Sequence, residues 1–588
     1  MRKEEGYLKN KKIAPVLAVV LLIAVIVLFM VCSSILKKYM PTKEVEDLND
    51  YYALTSEEQM AVIKDNTVLD TKGICVDGKA YLDYNTVHDA LNERFYWDAN
   101  ENVLLYTTPT DLVTVNAGEN RYFVTKAENA TDYTIARVDG DTLYVAIDFV
   151  QQYTNMAYTY FESPNRVVIT TAAGDKEVTA AKKDTEIREK GGIKSPILKQ
   201  VKKGENLAVI ETGDTWSKVA SEDGVVGYVK TKFVGDTETV TAASVTNGYT
   251  EEFTHIKKDA AINMGWHQVT NMDANGKIAS VLSATKGMNV ISPTWFYLND
   301  SNGDVASLAS LDYVNYCHQS GVEVWGLISN LENPDASSTE VLTHTSKRQN
   351  LVNQIIALAI QYDLDGVNVD FEALEGAVGD GYIQFIRELS LKCANNGLVL
   401  SVDNYVPTAS SSFYNRAEQA RFADYVVIMG YDEHYAGSDA GSVASIGFVK
   451  NGVTDTIAEG VPAEQIVLGM PFYTRVWALT PKDTAGDSVE AASDDYVSYD
   501  TTSQALGMDD VQKLLTTNGA VASWSDADGQ NYAEYVNAGV TYKVWIEDAS
   551  SLELKLQVMK ENGLAGASFW KLGLENPGVW DTIIKYVN

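Results

Sequence analysis

Residues 365–372, Asp365-Gly366-Val367-Asn368-Val369-Asp370-Phe371-Glu372, alternate polar with apolar side chains and finish on a carboxylate pair. In a β-strand alternate side chains share a face. Asn368, Asp370 and Glu372 are therefore expected on one surface, with Val367, Val369 and Phe371 packing on the other. Two carboxyl groups held side by side cannot both ionise cheaply, so one tends to keep its proton near neutral pH. A carboxyl group that is still protonated there can act as a general acid. The arrangement points to cleavage of a glycosidic bond. A calcium loop would use the same oxygens, but it wants glycine at its sixth position and few β-branched residues, and here valines fill the gaps.

Such a strand needs a scaffold. Apolar strand-like runs at 261–266, 288–292, 322–327, 366–370, 398–402, 425–429, 466–470 and 565–570 alternate with helical stretches such as 347–362, 382–395 and 550–562. Eight strand–helix units in about 330 residues predict a (β/α)8 barrel. The gap between the seventh and eighth strands is too long for one loop and helix. Residues 487–547, with a strand-like 541–547, are expected to form a small inserted α+β lobe. Active sites of this barrel sit at the C-terminal ends of the strands. There the chain places Gly265-Trp266-His267 on strand one, Asp370 and Glu372 on strand four, and Met429-Gly430-Tyr431-Asp432 on strand six. Strand seven runs into Met470-Pro471-Phe472-Tyr473-Thr474-Arg475, and strand eight ends in Ser568-Phe569-Trp570.

The 588 residues are too many for one core, so several domains are expected. The net charge of −33 is a poor match for nucleic acid, whose affinity comes from Lys and Arg on phosphates, and for an anionic membrane surface. Ten Trp and 33 Tyr supply rings that can stack on sugar faces, although any single ring is more readily a core residue. Cys32, Cys75, Cys317 and Cys393 have no short spacing, and His267, His318, His344 and His434 no metal-ligand spacing, so neither a disulfide framework, a metal nor another cofactor is expected.

Residues 13–36 form an uncharged apolar run, and about twenty residues suffice to cross a hydrocarbon core. Arg2, Lys3, Lys9, Lys11 and Lys12 precede it, which places residues 1–12 in the cytoplasm and the rest outside. A cleaved signal peptide is the rival reading, but the run is long and no clear small-x-small site follows. Lipid attachment at Cys32 is disfavoured by the bulky Val31. Residues 37–64 read as a polar, acidic stalk.

Two similar units follow, each with the order strand, helix, aromatic strand, turn, strand, and a period of roughly sixty residues. Arg94-Phe95-Tyr96-Trp97-Asp98 in the first corresponds to Ala157-Tyr158-Thr159-Tyr160-Phe161 in the second. This stretch, 65–175, resembles the amine-oxidase-type N-terminal repeat, in which family the module is a spacer or binder. Residues 176–238 carry short strands broken by Gly and Asp turns, as in a small β-barrel. Their Trp216-Ser217-Lys218-Val219 and Gly224-Val225-Val226-Gly227-Tyr228-Val229 segments resemble bacterial SH3 domains, a resemblance that implies contact with the cell wall. Residues 239–254 read as a polar linker.

The strand-end motifs of 255–588 resemble glycoside hydrolase family 18, the chitinase-like hydrolases, whose strand-four pattern is Asp-Gly-x-Asp-x-Asp-x-Glu. Asn368 stands where the pattern has Asp. That Asn, with Phe371 for the usual Trp, resembles the spore-cortex and cell-wall branch of the family. The resemblance implies a substrate-assisted retaining mechanism, an exception to the two-carboxylate scheme. Glu372 would be acid and base, Asp370 would orient the substrate's 2-acetamido group, Tyr431 would hydrogen-bond it, and Trp570 would floor the sugar. Asp432 would contact a sugar hydroxyl, and Asn368 would set the charge state of Asp370. Met429, Trp266, Tyr473, Arg475 and Trp545 complete the expected substrate-binding set. Two functions follow: a membrane-anchored, extracytoplasmic glycosidase cutting β-1,4 bonds at N-acetylglucosamine-type sugars, with peptidoglycan the expected substrate, or a non-catalytic glycan-binding or wall-organising protein on the same barrel. The retained Glu372 favours the enzyme.

Overall fold

The computed structural model describes residues 5–242, 245, 248–482 and 499–587. It divides into two compact units, one of Met1–Glu93, Ala117–Asn120 and Thr131–Thr250, the other of Arg94–Asn116, Arg121–Ala130 and Glu251–Asn588.

The first unit opens on a helix, Glu5–Tyr39, within which Pro15–Tyr39 is apolar and long enough to cross a bilayer. It then carries a seven-stranded sheet in the order Ala157–Phe161, Arg166–Thr170, Gln59–Lys64, Thr67–Val76, Lys79–Asp83, Thr142–Ala146, Ala136–Asp139. A second seven-stranded sheet runs from Gly174–Ala180 to Glu238–Ala242 and closes on Ile187, Leu198, Val201, Leu207, Val219 and Val229. This is the small barrel expected from the Gly- and Asp-broken strands.

The second unit is the (β/α)8 barrel. Its strands are β1 (Ile262–His267), β2 (Val290–Leu298), β3 (Glu323–Ser329), β4 (Gly366–Asp370), β5 (Val399–Tyr405), β6 (Tyr425–Met429), β7 (Ile466–Pro471) and β8 (Gly566–Trp570). All neighbours pair in parallel, and β8 pairs with both β7 and β1 to close the ring. The closure is tight at Gly566, where a Cβ would lie 2.1 Å from the Ile262 carbonyl oxygen, so the site accepts only glycine.

The alternation read from β4 is realised. Val367 and Val369 enter the apolar layer between strands and helices, and Phe371 stacks on Phe385 at 5.3 Å between centroids. Phe385 belongs to α1 (Gly379–Asn396), an amphipathic helix ended by Gly397 in the left-handed region at φ 67°. Removing these side chains from water is what holds β4 in register, because a one-residue slip would turn its carboxylates into the apolar layer.

The two sequence repeats take different paths. The second repeat's aromatic hairpin, Ala157–Phe161 with Arg166–Thr170, joins the first unit's sheet. The first repeat's hairpin, Phe95–Asp98 with Val103–Thr107, instead starts a separate five-stranded sheet that belongs with the barrel. Its docking is polar and buried. Arg94 Nε donates to Glu418 Oε1 at 2.9 Å, Thr345 N donates to Asp98 Oδ2 at 2.6 Å, and Gln384 Nε2 donates to Thr107 Oγ1 at 3.1 Å. The sequence period was blind to this, because it records strand order and not which sheet a strand joins.

Between β7 and β8 the chain builds an inserted lobe, a five-stranded antiparallel sheet with the helix Met508–Thr517. The sheet begins directly behind β7 with Tyr473–Pro481 and includes Val540–Ile546, the strand expected at 541–547. Residues 487–498 of the expected insertion lie outside the described residues. The lobe is fastened to the barrel by Glu547. Its backbone N donates to Thr474 Oγ1 at 2.9 Å, and its carboxylate pairs with Lys555 on α2 (Ala549–Glu561) at 2.9 Å, both side chains being buried.

Candidate active site

β4 delivers Asn368, Asp370 and, just past its end, Glu372 to the C-terminal mouth of the barrel. Asp370 and Glu372, with Thr294, Tyr297, Glu332 and Trp570, line a cavity of about 450 Å³. Glu372 is gripped through its backbone: its N–H donates to Asn330 Oδ1 at 2.8 Å, and Asn330 Nδ2 donates to the Glu372 carbonyl at 2.9 Å. The next residue, Ala373, has φ 52°, a conformation costly for a residue with a Cβ, and its N–H donates to Tyr405 Oη at 3.2 Å. The local backbone is thus held in one geometry by β3 and β5 on either side.

Beneath this pair lies Asn368, fully buried and with every polar atom engaged. Its Oδ1 accepts from Trp266 Nε1 at 2.9 Å and from Ser292 Oγ at 3.1 Å. Its Nδ2 donates to Ser401 Oγ at 3.0 Å and to Asp403 Oδ1 at 2.8 Å. Two donors on one side and two acceptors on the other determine the amide's orientation.

The electrostatics all run one way. Burial, then the charge of Asp403, then those of Glu372 and Glu332, push the Asp370 carboxyl well above the ordinary range. Glu372 is raised chiefly by burial, against a hydrogen bond from Tyr405 that lowers it, with Asp432 and Glu332 adding to the rise. Asp403 is raised to about 8, mainly by burial and further by the charge of Glu372, while the hydrogen bond from Asn368 opposes the shift. Buried carboxyl groups that raise one another in this way keep their protons to higher pH than free ones, which suits a general acid.

Of the other expected residues, Trp570 lines the cavity and meets Trp266 edge-on at 6.0 Å between centroids. Trp266 is buried under the floor and not on the cleft wall, and it also meets Tyr431 edge-on at 6.4 Å. Tyr431 is next to Tyr473, whose hydroxyl donates to Asp432 Oδ1. Asp432 is exposed with φ 59°. Met429 is buried at the end of β6. Arg475 lies on the lobe's first strand and donates to Ser503 Oγ at 3.1 Å. Trp545 is on the lobe's sheet, packed on Tyr532 and bonded to Asp528, and is not among the residues that line the cavity.

The sequence reading missed Asp403, Tyr405, Asn330 and Glu332. Asp403 and Tyr405 had a signal: β5 runs three residues beyond the expected 398–402, and they continue the alternation of Ser401. Asn330 and Glu332 lie past the end of β3, where no periodicity marks a residue as facing the site.

Comparison with known proteins finds related domains. The bacterial SH3 domain matches residues 183–235 and the copper amine oxidase N-terminal domain residues 62–169. An uncharacterized glycosylase, YvbX, from Bacillus subtilis is 26% identical over 328 residues, covering 53% of this chain and 89% of that protein. A cortical fragment-lytic enzyme from the same organism is 29% identical over 265 residues, covering 43% of this chain and 58% of that protein. The crystal structure of the C-terminal domain of a putative chitinase from Desulfitobacterium hafniense superposes with a TM-score of 0.50 at 21% identity, covering 56% of this chain and all of that domain, a likeness of fold. Glycosyl hydrolases family 18 matches residues 225–575, more than half of the chain, and with its barrel and acidic strand-four site the protein belongs to that family of glycoside hydrolases.

Proposed function

We propose that this protein is a membrane-anchored, extracytoplasmic glycosidase that cuts β-1,4 bonds at N-acetylglucosamine-type sugars of peptidoglycan by a substrate-assisted, retaining route. The observation that carries the reading is the meeting of Asp370, Glu372 and Trp570 on one cavity, with Glu372 held in a setting that favours its proton. Glu372 protonates the glycosidic oxygen as the bond to the anomeric carbon breaks. The carbonyl oxygen of the sugar's own 2-acetamido group attacks that carbon, giving a cyclic intermediate. Asp370 accepts the acetamido N–H and balances the charge that forms there. Tyr431 donates to the acetamido oxygen, and Trp570 supports the apolar face of the sugar. Glu372, now a carboxylate, draws a proton from water, which opens the intermediate with retention.

The wall as substrate is supported by the SH3-type module and by the likeness to a cortical fragment-lytic enzyme. The anchor is supported by the apolar helical span Pro15–Tyr39, preceded by Arg2, Lys3, Lys9, Lys11 and Lys12. The test is release of soluble fragments from purified peptidoglycan by the full-length protein in detergent, with products identified by mass spectrometry and Glu372→Gln as control. Release lost in the control supports the enzyme. Binding without release by the unmodified protein would instead support a glycan-binding role.

A further inference from the structure

Asp403 is a buried carboxyl group for which the mechanism above has no use. It lies on β5, 3% exposed, facing the inside of the barrel. The β4–β5 register pairs Asn368 with Ser401 and Val369 with Val402. Carried one residue on, it sets Asp403 directly beside Asp370, at the spacing of neighbouring strands, about 4.8 Å. Asp370 Oδ1 is sealed from solvent and has no hydrogen-bond partner. A buried carboxylate oxygen without a donor is costly. Two adjacent carboxyl groups that share one proton relieve that cost, as each in turn supplies the donor.

We propose that Asp403 is the positioning residue that exchanges a proton with Asp370, so that the carboxyl missing from position 368 on β4 has been relocated to β5. The inference rests on the reading of Asp370 as the acetamido partner. Once one of the two has ionised, the pair holds one proton and one negative charge. When the substrate's acetamido N–H reaches Asp370, the O–H bond on Asp370 breaks and the proton forms an O–H bond on Asp403. The pair's charge is unchanged, and Asp370 becomes the carboxylate that the intermediate needs. When product leaves, the proton returns. Asn368 suits this arrangement and Asp would not: its Nδ2 donates to Asp403 Oδ1, which an ionised carboxylate at 368 could not do.

The groups facing the pair are identified from every side. Glu372 just past β4 and Glu332 beyond β3 act on Asp370, Glu372 also acts on Asp403, and Asn368 from β4, itself held by Trp266 from β1, donates to Asp403. Tyr431 beyond β6 and Tyr382 on α1 face both acids and stay neutral because burial raises both phenols well above their ordinary range. The surroundings are therefore carboxyl groups and neutral donors, and burial is the main reason the pair keeps its protons.

The test compares the full-length protein with Asp403→Asn and with the exchanged variant Asn368→Asp/Asp403→Asn, on an aryl β-glycoside of an N-acetylglucosamine oligomer, as kcat and KM against pH. In Asp403→Asn the proton on Asp370 has no acceptor. The acid limb of kcat is expected to move up by about one pH unit, about tenfold in rate on that limb, with KM changed less than about twofold. The exchanged variant, which returns a carboxyl to β4, is expected to bring the limb back. An acid limb unmoved in Asp403→Asn, or a moved limb that the exchange does not restore, overturns the proposal. Should Asp403→Asn not fold, infrared titration of protonated carboxyl groups in the unmodified protein decides: a band persisting at neutral pH in Glu372→Gln supports the shared proton, and no band overturns it. An unmodified protein with no activity on either substrate would be a failure of the proposed function, while activity lost in Glu372→Gln beside an unshifted Asp403→Asn profile would overturn the inference alone.

Discussion

The amide of Asn368 donates to the carboxylate of Asp403 across 2.8 Å, from one barrel strand to the next. Strand four of this protein therefore carries one buried acid fewer than the family pattern, and strand five carries one that the mechanism does not otherwise call for.

Replacing Glu372 by Gln removes the carboxyl group proposed to protonate the leaving oxygen while keeping its shape. Glycan release is expected to fall by about two to four orders of magnitude. Binding of an unreacted oligomer, measured by calorimetry, should stay within about threefold, since an amide still fits the cavity.

Stability should fall as the pH rises. Asp403 is raised from 3.8 to about 8 in the folded chain, and Asp370 moves in the same direction. Above the ordinary carboxylate range the folded state holds more protons than the unfolded state, so the slope of unfolding free energy with pH is negative. The contribution is fully present below the unfolded value near 4 and is lost as the pH passes the folded value near 8. Melting temperatures of the barrel recorded between these limits should decline in the unmodified protein and decline less in Asp403→Asn. Parallel curves would remove Asp403 as a source.

Asn368→Asp alone puts a third carboxyl beside Asp370 and Asp403 and deletes the amide donor. Like charges raise one another's affinity for protons, so the pH–rate profile should move upward by about one unit, with activity retained. An unchanged profile would remove position 368 from any part in setting the charge of its neighbours.

The lobe's anchor can be tested apart from chemistry. Lys555→Met leaves Glu547 buried without its cation and should destabilise the barrel by about 3–5 kcal/mol. Adding Glu547→Leu removes the stranded charge and should recover most of the loss. Chemical denaturation followed by Trp fluorescence reads both, and equal stabilities of the single and double variants would contradict a buried ion pair.

The sequence by itself determined a good deal. The eight strands and their order follow from apolar runs spaced by helices, and β4 and β6 occupy the expected residues. The alternation over 366–370 is enough to say which side chains face the lumen, because a buried face tolerates no slip in register. Glu372, Asp370 and Trp570 were legible because they end strands, and strand ends are where this barrel keeps its chemistry. Only the tertiary structure decided the rest. It took the first repeat's hairpin out of its own module and put it with the barrel, through Arg94, Asp98 and Thr107. It placed Trp266 under the site and Trp545 away from the cavity. It also brought Asp403, which is 33 residues past Asp370 in the chain, onto the neighbouring strand, where its charge acts on Asp370. Periodicity states which face a side chain takes on its own strand. Which residue it meets there depends on the register between strands, and that is settled only when the ring closes.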